Sequence, residues 1–230
     1  MLLEIEGLSG GYRAMRIVHD VAFAIDEGVT LALLGRNGVG KTSLLRILAG
    51  LADRHSGEIR IDGQPLRPGS PADLIRGGVA FVPDTRGVFG RLTVAENMRL
   101  AALYAYAKPK LDAFDLFPDL RPRLKQPAMS LSGGLQQQLA IARAISMGPR
   151  LLIIDELTQG LQPSVIQLLV ATLRMIAERH GLAILLVDQN PGLAMDLCAE
   201  TMIMEHGRIA LRGRSVDLAG DPKAIDLLSV

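Results

Sequence analysis

The octapeptide Gly35-Arg-Asn-Gly-Val-Gly-Lys41-Thr42 constrains the fold of this chain more than any other stretch. It matches G-x-x-x-x-G-K-[ST] without a mismatch, and it stands between the aliphatic run Leu31-Ala-Leu-Leu34 and the apolar helical pattern Ser43–Gly50. A strand that turns straight into a helix leaves the first N–H groups of that helix without intrahelical partners. Glycines let the intervening backbone fold inward, so those groups and the positive end of the helix dipole converge on an anion. In such a loop the lysine reaches the outer phosphates of a nucleotide and the hydroxyl holds Mg²⁺. Phosphate contacts are therefore expected at Gly35, Arg36, Asn37, Gly38, Val39, Gly40, Lys41, Thr42 and Ser43, with Thr42 also a metal ligand. A plain glycine-rich turn would satisfy the pattern but leave its placement between strand and helix unexplained.

The surrounding chain has the rhythm of an α/β protein. Leu31–Leu34, Val79–Val82, Leu151–Ile154 and Ala183–Val187 are short aliphatic runs, as expected of parallel strands buried on both faces and separated by helices. Leu3-Glu-Ile-Glu6 alternates like a half-exposed strand, a turn is expected at Gly10-Gly11, and Ile17–Ile25 is its antiparallel partner. Met202–Leu211 reads as a hairpin turning at His206-Gly207. Together these predict a small antiparallel layer flanking the parallel core. From Thr93 to Leu135 no strand pattern occurs. Thr93-Val-Ala-Glu96 is a capping box, and Pro109, Pro118, Pro122 and Pro127 divide the rest of this stretch into short helices. The expected organisation is a single domain over 1–230, with a core of 1–84 and 136–230 and a helical subdomain at 85–135.

Charge and hydropathy narrow the function. The 25 Lys+Arg residues are balanced by 24 Asp+Glu, which gives neither nucleic acid nor anionic lipid a basic surface to bind. Hydrophobic residues make up 49 %, yet the longest aliphatic runs, Leu151–Ile154 and Leu182–Val187, each end at an acidic residue. Both fall far short of the roughly 20 apolar residues of a membrane span. The apolar surplus is therefore expected inside the protein or against a partner. The lone Cys198 excludes an internal disulfide and fits a reducing compartment, and the four histidines lack the spacing of a zinc site.

A second motif selects among phosphate-binding proteins. Leu131-Ser-Gly-Gly134 opens the amphipathic helix Leu135–Ile145, which makes Ser132, Gly133 and Gly134 a second anion-binding terminus. Further on, the strand Leu151–Ile154 ends in Asp155-Glu156, at the carboxyl edge where ligands bind in parallel sheets. With these three elements in this order, the chain resembles the nucleotide-binding subunit of ATP-binding-cassette (ABC) transporters along nearly its whole length. The resemblance implies an α/β P-loop NTPase core with a mostly parallel sheet, an antiparallel β layer and an inserted helical subdomain. It implies ATP and Mg²⁺ as ligands, Asp155 as a metal residue, Glu156 as the general base and Lys41 on the phosphates. It also implies that Tyr12, in Gly10-Gly-Tyr-Arg13, stacks on adenine, and that Leu131–Gly134 is the signature pressing on the γ-phosphate held by a second subunit.

Finer features are similar to the branched-chain amino-acid importer branch, which shares them with urea and amide importers. They are Val82-Pro-Asp-Thr-Arg-Gly-Val-Phe89, Arg91-Leu-Thr-Val-Ala-Glu-Asn97, Gly160-Leu-Gln-Pro-Ser164 and Leu186-Val-Asp-Gln-Asn190. Departures from the general family pattern stand beside them. Asp84 occupies the usual glutamine position and is counted as a metal ligand. Gln189 takes the switch-histidine position; it is counted with Glu156 and Lys41 in the catalytic set, since an amide can hydrogen-bond the γ-phosphate without carrying charge. Leu157, Leu135 and Gln162 replace a proline, a polar residue and an aspartate. The implied partners are a second ATPase subunit (a heterodimer favoured over a homodimer), permease subunits gripped by the helical lobe near Asp84–Phe89, and indirectly a periplasmic or extracellular solute-binding protein. The implied location is the cytoplasmic face of the inner or plasma membrane. Two other readings stand beside this one. A soluble ABC ATPase of repair or translation usually carries two cassettes or a coiled-coil insertion, neither of which is seen here. A nonhydrolytic binding module is motivated by Gln189 and Leu135.

Overall fold

A computed structural model describes residues 1–109 and 111–229. The chain begins with β1 (Leu3–Tyr12), β2 (Met15–Ile25), β3 (Thr30–Leu34), α1 (Lys41–Leu48), β4 (Asp53–Ile61), β5 (Gln64–Pro65), α2 (Pro71–Arg76) and β6 (Val79–Val82). Helical elements come next: α3 (Val94–Leu103), α4 (Ala113–Leu116), 3-10 turns at Pro118–Arg123 and Ala128–Ser130, and α5 (Gly133–Ser146). The remainder alternates as β7 (Leu151–Asp155), α6 (Pro163–His180), β8 (Ala183–Val187), α7 (Pro191–Leu197), β9 (Glu200–Glu205), β10 (Arg208–Arg214), α8 (Ser215–Leu218) and α9 (Pro222–Leu228). No helix among the described residues is long and apolar enough to cross a membrane.

Two sheets form. One has six strands in the order β10-β9-β3-β8-β7-β6, parallel from β9 through β6, and the other is antiparallel in the order β2-β1-β4-β5. In the larger sheet β8 lies between β3 and β7, and Leu33, Val187 and Asp155 sit level across these three strands. Alternation along β7 sends Leu151 and Ile153 to one face and Leu152 and Ile154 to the other. The first face packs with α1 and the antiparallel sheet, and the second with α5, α6 and α7. Continuing that alternation, Asp155 shares a face with Leu151 and Ile153, which is the face carrying α1 and the phosphate loop.

The helical stretch is built as its sequence suggests. Thr93 Oγ1 accepts from the Glu96 N–H at 3.2 Å, and a Glu96 carboxylate oxygen accepts from the Thr93 N–H at 2.8 Å, closing the capping box on α3. Asn97, fully buried, holds the preceding loop: its amide donates to the carbonyls of Phe89, Leu92 and Thr93 and accepts from the Phe89 N–H.

Two expectations are corrected. Gly10 and Gly11 do not turn the chain; they lie inside β1, and the turn falls at Arg13, whose φ is 53°. A Cβ on Gly10 would stand 2.2 Å from the Asp53 carbonyl of β4 and 2.9 Å from Ile47 Cδ1, so glycine is there because the neighbouring strand's backbone, with α1 behind it, lies too close for a side chain. The hairpin at His206-Gly207 exists, but β9 pairs in parallel with β3 and so extends the core sheet instead of joining the antiparallel layer. The antiparallel layer is completed instead by β4 and β5, whose turn at Asp62-Gly63 has φ values of 51° and 70°, as a tight hairpin requires.

Candidate nucleotide site

The phosphate loop leaves β3 and enters α1 with Gly40, at φ 111°, as the N-cap. An L-residue with a side chain would be strained there. Lys41 is 5 % exposed, and its ammonium donates to the carbonyls of Gly35 at 2.6 Å and Arg36 at 3.0 Å. Burial holds it below the usual lysine range, while the charges of Glu156, Asp155 and Asp188 act in the opposite sense. The loop is braced from behind by the β9–β10 turn, where the Gly207 N–H donates to the Val39 carbonyl at 2.8 Å. Arg36 donates to the Asp226 carbonyl of α9 at 3.0 Å. Asn37 and Gly38 are exposed, and Val39, Thr42 and Ser43 are half-buried.

Opposite Lys41 stands Asp155, 1 % exposed, with neither carboxylate oxygen hydrogen-bonded among the described residues. Burial pushes its carboxyl up to about 6. The negative charges of Asp84 and Glu156 add to the rise, and the Thr42 hydroxyl and Lys41 oppose it. The structure thus brings Thr42, Asp84, Asp155, Glu156 and Lys41 into one neighbourhood. Glu156 leaves the strand at φ 53°, and its N–H donates to the Val187 carbonyl at 2.8 Å. A left-handed glutamate costs about 1–3 kcal/mol; it swings the side chain away from the alternation that aims Asp155.

Asp188 is a site residue that motif reading missed. It is 1 % exposed and accepts from the N–H groups of Gln189 (2.8 Å), Asn190 (3.0 Å) and Thr158 (3.3 Å), and from the Thr158 hydroxyl. It therefore locks the loop after β7 to the loop after β8 and fixes the backbone that carries Gln189, whose side chain is exposed. It closes an aliphatic run and lies inside Leu186-Val-Asp-Gln-Asn190, but neither signal shows the bonds it makes. Tyr12, 37 % exposed, ends β1, and its hydroxyl accepts from Arg46 of α1 at 3.1 Å.

The signature serine caps α5: Ser132 Oγ accepts from the Leu135 N–H at 3.4 Å, and Gly133 and Gly134 form the first turn. Between the helical stretch and the core runs an apolar groove of about 600 Å³, lined among others by Leu51, Phe81, Phe89, Leu100, Tyr104 and Arg143. Phe89 is 51 % and Tyr104 64 % exposed.

A P-loop at the end of one parallel strand and an acidic pair at the end of another define a nucleotide-hydrolysing α/β protein. The sequence model of the ABC transporter family matches residues 18–159, and the chain belongs to that family. It is 35 % identical, over 98 % of both chains, to the high-affinity branched-chain amino acid transport ATP-binding protein BraG of Pseudomonas aeruginosa. It is 34 % identical, over 94 % of both chains, to the "Probable branched-chain amino acid transport ATP-binding protein LivF" of Archaeoglobus fulgidus. Among solved structures, the ATP-binding subunit of an ABC transporter superposes with a TM-score of 0.83 at 31 % identity, covering 100 % of this chain and 95 % of that one. A dimeric ATP-binding cassette bound to ADP and phosphate superposes with a TM-score of 0.82 at 20 % identity, over 93 % of this chain and 99 % of that one, a likeness of fold. The chain is an ABC ATPase subunit of a transporter.

Proposed function

We propose that this chain is one of two ATPase subunits on the cytoplasmic face of a branched-chain amino-acid importer. One observation carries the catalytic part of this reading: Asp155 is buried with both oxygens unpartnered, on the sheet face that holds Thr42 and Lys41. An orphaned carboxylate there fits a hard cation. Among the described residues no three His, Cys, Asp or Glu side chains form a metal cluster by themselves. Mg²⁺ is commonly bound by one or two carboxylates together with substrate phosphates. Asp155, Asp84 and Thr42 would hold the ion, which when bound supplies charge neutralisation on the phosphate oxygens.

The residues then divide the work. Lys41, already oriented by two loop carbonyls, binds the outer phosphates with little reorganisation. Glu156 accepts a proton from the attacking water, and Gln189 donates a hydrogen bond toward the γ-phosphate. Tyr12 offers its ring to the adenine. Ser132, Gly133 and Gly134 lie on a separate element and serve the nucleotide of the second subunit, which makes one chain half of each reaction centre. A heterodimer is the favoured pairing. The apolar groove beside Phe89 and Tyr104 is the docking place for a cytoplasmic helix of the permease, which gives the hydrophobic surplus of the sequence a use. A solute-binding protein acts from the far side of the membrane.

The substrate assignment rests on the similarity to BraG and the Archaeoglobus protein and is tested by uptake. With the native complex and its binding protein reconstituted in vesicles, labelled leucine, isoleucine and valine are expected to accumulate only when ATP faces this subunit. Accumulation of urea or a short amide in their place would move the chain to the neighbouring importer branch.

A further inference from the structure

The loop after β6 carries Asp84 close enough to Asp155 for their charges to interact, and its next residues reach the other way. The Arg86 N–H closes a turn on the Pro83 carbonyl at 2.8 Å, and Arg86 and Gly87 are both left-handed, at φ 65° and 62°. Left-handed backbone is strained for an arginine and persists where surrounding contacts hold it. The Arg86 side chain spans to α5. Nη1 donates to Gln136 Oε1 at 3.0 Å, and the Gln136 amide donates on to the Ala128 carbonyl at 3.1 Å. Nη2 lies over Gly133, where a Cβ would stand 3.2 Å away, and near Gly160 in the loop beyond Glu156. No carboxylate forms an ion pair with Arg86 among the described residues. From the opposite direction Arg143 of α5 donates to the Gly87 carbonyl at 2.6 Å and stacks 4.9 Å from the Phe89 ring centroid. The Asp84 loop is thus fastened to α5 by two guanidinium groups, one from each side.

We propose that Arg86 is a positioning residue for the signature. Its guanidinium ties the loop bearing Asp84 to the first turn of α5, so Ser132–Gly134 take their working orientation only when the Asp84 loop is seated. A planar fork with several donors can serve Gln136 while covering Gly133; an ammonium offers a single compact point of contact. The inference rests on the reading that Ser132–Gly134 face the nucleotide of the second subunit.

The test compares R86A, R86K, Q136A and R86A/Q136A in the complex purified from native membranes, with nucleotide binding measured on the isolated chain. R86A is expected to lower kcat about 10–100-fold, as a small misplacement of a catalytic element does. The KM for ATP should stay within about three-fold. Binding of a fluorescent ATP analogue to the isolated chain should be unchanged, because Lys41 and Thr42 are untouched. R86K should remain impaired. The double variant should lose little beyond R86A alone, because both residues act through one link. Q136A removes the same link from an unstrained helical position, so it carries the test if R86A folds poorly. Full kcat in Q136A, complete rescue by lysine, or losses that multiply in the double variant would overturn the proposal. Wild-type complex that hydrolyses ATP, and loses this in E156Q, shows the underlying reading intact whichever way Arg86 falls. Wild-type complex without hydrolysis would sink that reading and this inference with it.

Discussion

Replacing Glu156 by glutamine is expected to cut ATP hydrolysis by the assembled complex roughly 10²–10⁴-fold, the usual worth of a general base. ATP binding should survive. Glutamine keeps the size of the side chain and some hydrogen-bonding capacity, so the left-handed turn at φ 53° and the bond to the Val187 carbonyl are undisturbed. What disappears is the ability to take a proton from water. The bound state should outlast the measurement, so nucleotide trapped on the complex is the second readout beside phosphate release. Unchanged turnover would instead favour the nonhydrolytic binding module that Gln189 and Leu135 raise.

The second large effect concerns Asp155 and has two opposite signs. D155N should abolish measurable hydrolysis, because a neutral amide replaces the buried charged carboxylate on the α1 face and holds a divalent cation far more weakly. The same substitution should stabilise the metal-free chain near neutral pH. In the folded chain burial lifts the Asp155 carboxyl to about 6 from an ordinary 3.8. Between those values the folded protein holds a proton that the unfolded protein has released. Stability of the metal-free chain therefore falls as pH rises through this window, and the penalty is fully present above pH 6. A shift of this size corresponds to about 3 kcal/mol. A buried, unpartnered amide keeps part of that cost, so the net gain from D155N is about 1–2 kcal/mol. Thermal unfolding in chelator at pH 4.5 and pH 7.5 checks the sign. Wild type should lose stability between the two relative to D155N, and a D155N chain that melts lower at pH 7.5 would contradict the assignment.

The parallel core was legible because burial on both faces leaves no room for polar residues. Val79–Val82 and Ala183–Val187 stand out as unbroken apolar runs, and the strands coincide with them. The phosphate loop was legible for a related reason: its conformation admits few residues, as the positive φ of Gly40 illustrates. β4 escaped notice because Asp53-Arg-His-Ser-Gly-Glu58 is largely exposed and only Ile59 and Ile61 point inward. The Asp62-Gly63 pair was the available hairpin signal. Gly10-Gly11 misled in the opposite way, since glycine serves a close approach of neighbouring strand backbone as readily as a turn. Placing β9 in the core sheet depends on pairing with β3, far away in sequence, which no local pattern encodes. Asp188 and Arg86 share that difficulty. Their partners, Thr158 and Gln136, lie 30 and 50 residues away, so the chemistry of each residue was visible while its task was not.

The central claim is that one chain supplies half of each hydrolytic centre: Lys41, Asp155 and Glu156 for its own nucleotide, and Ser132–Gly134 for that of its partner. The most direct test compares ATP turnover per subunit in the isolated chain and in the complex purified with its partner ATPase and permease. The half-site account predicts slow hydrolysis alone and a rise of at least about ten-fold on assembly. Equal turnover in the two preparations would contradict it.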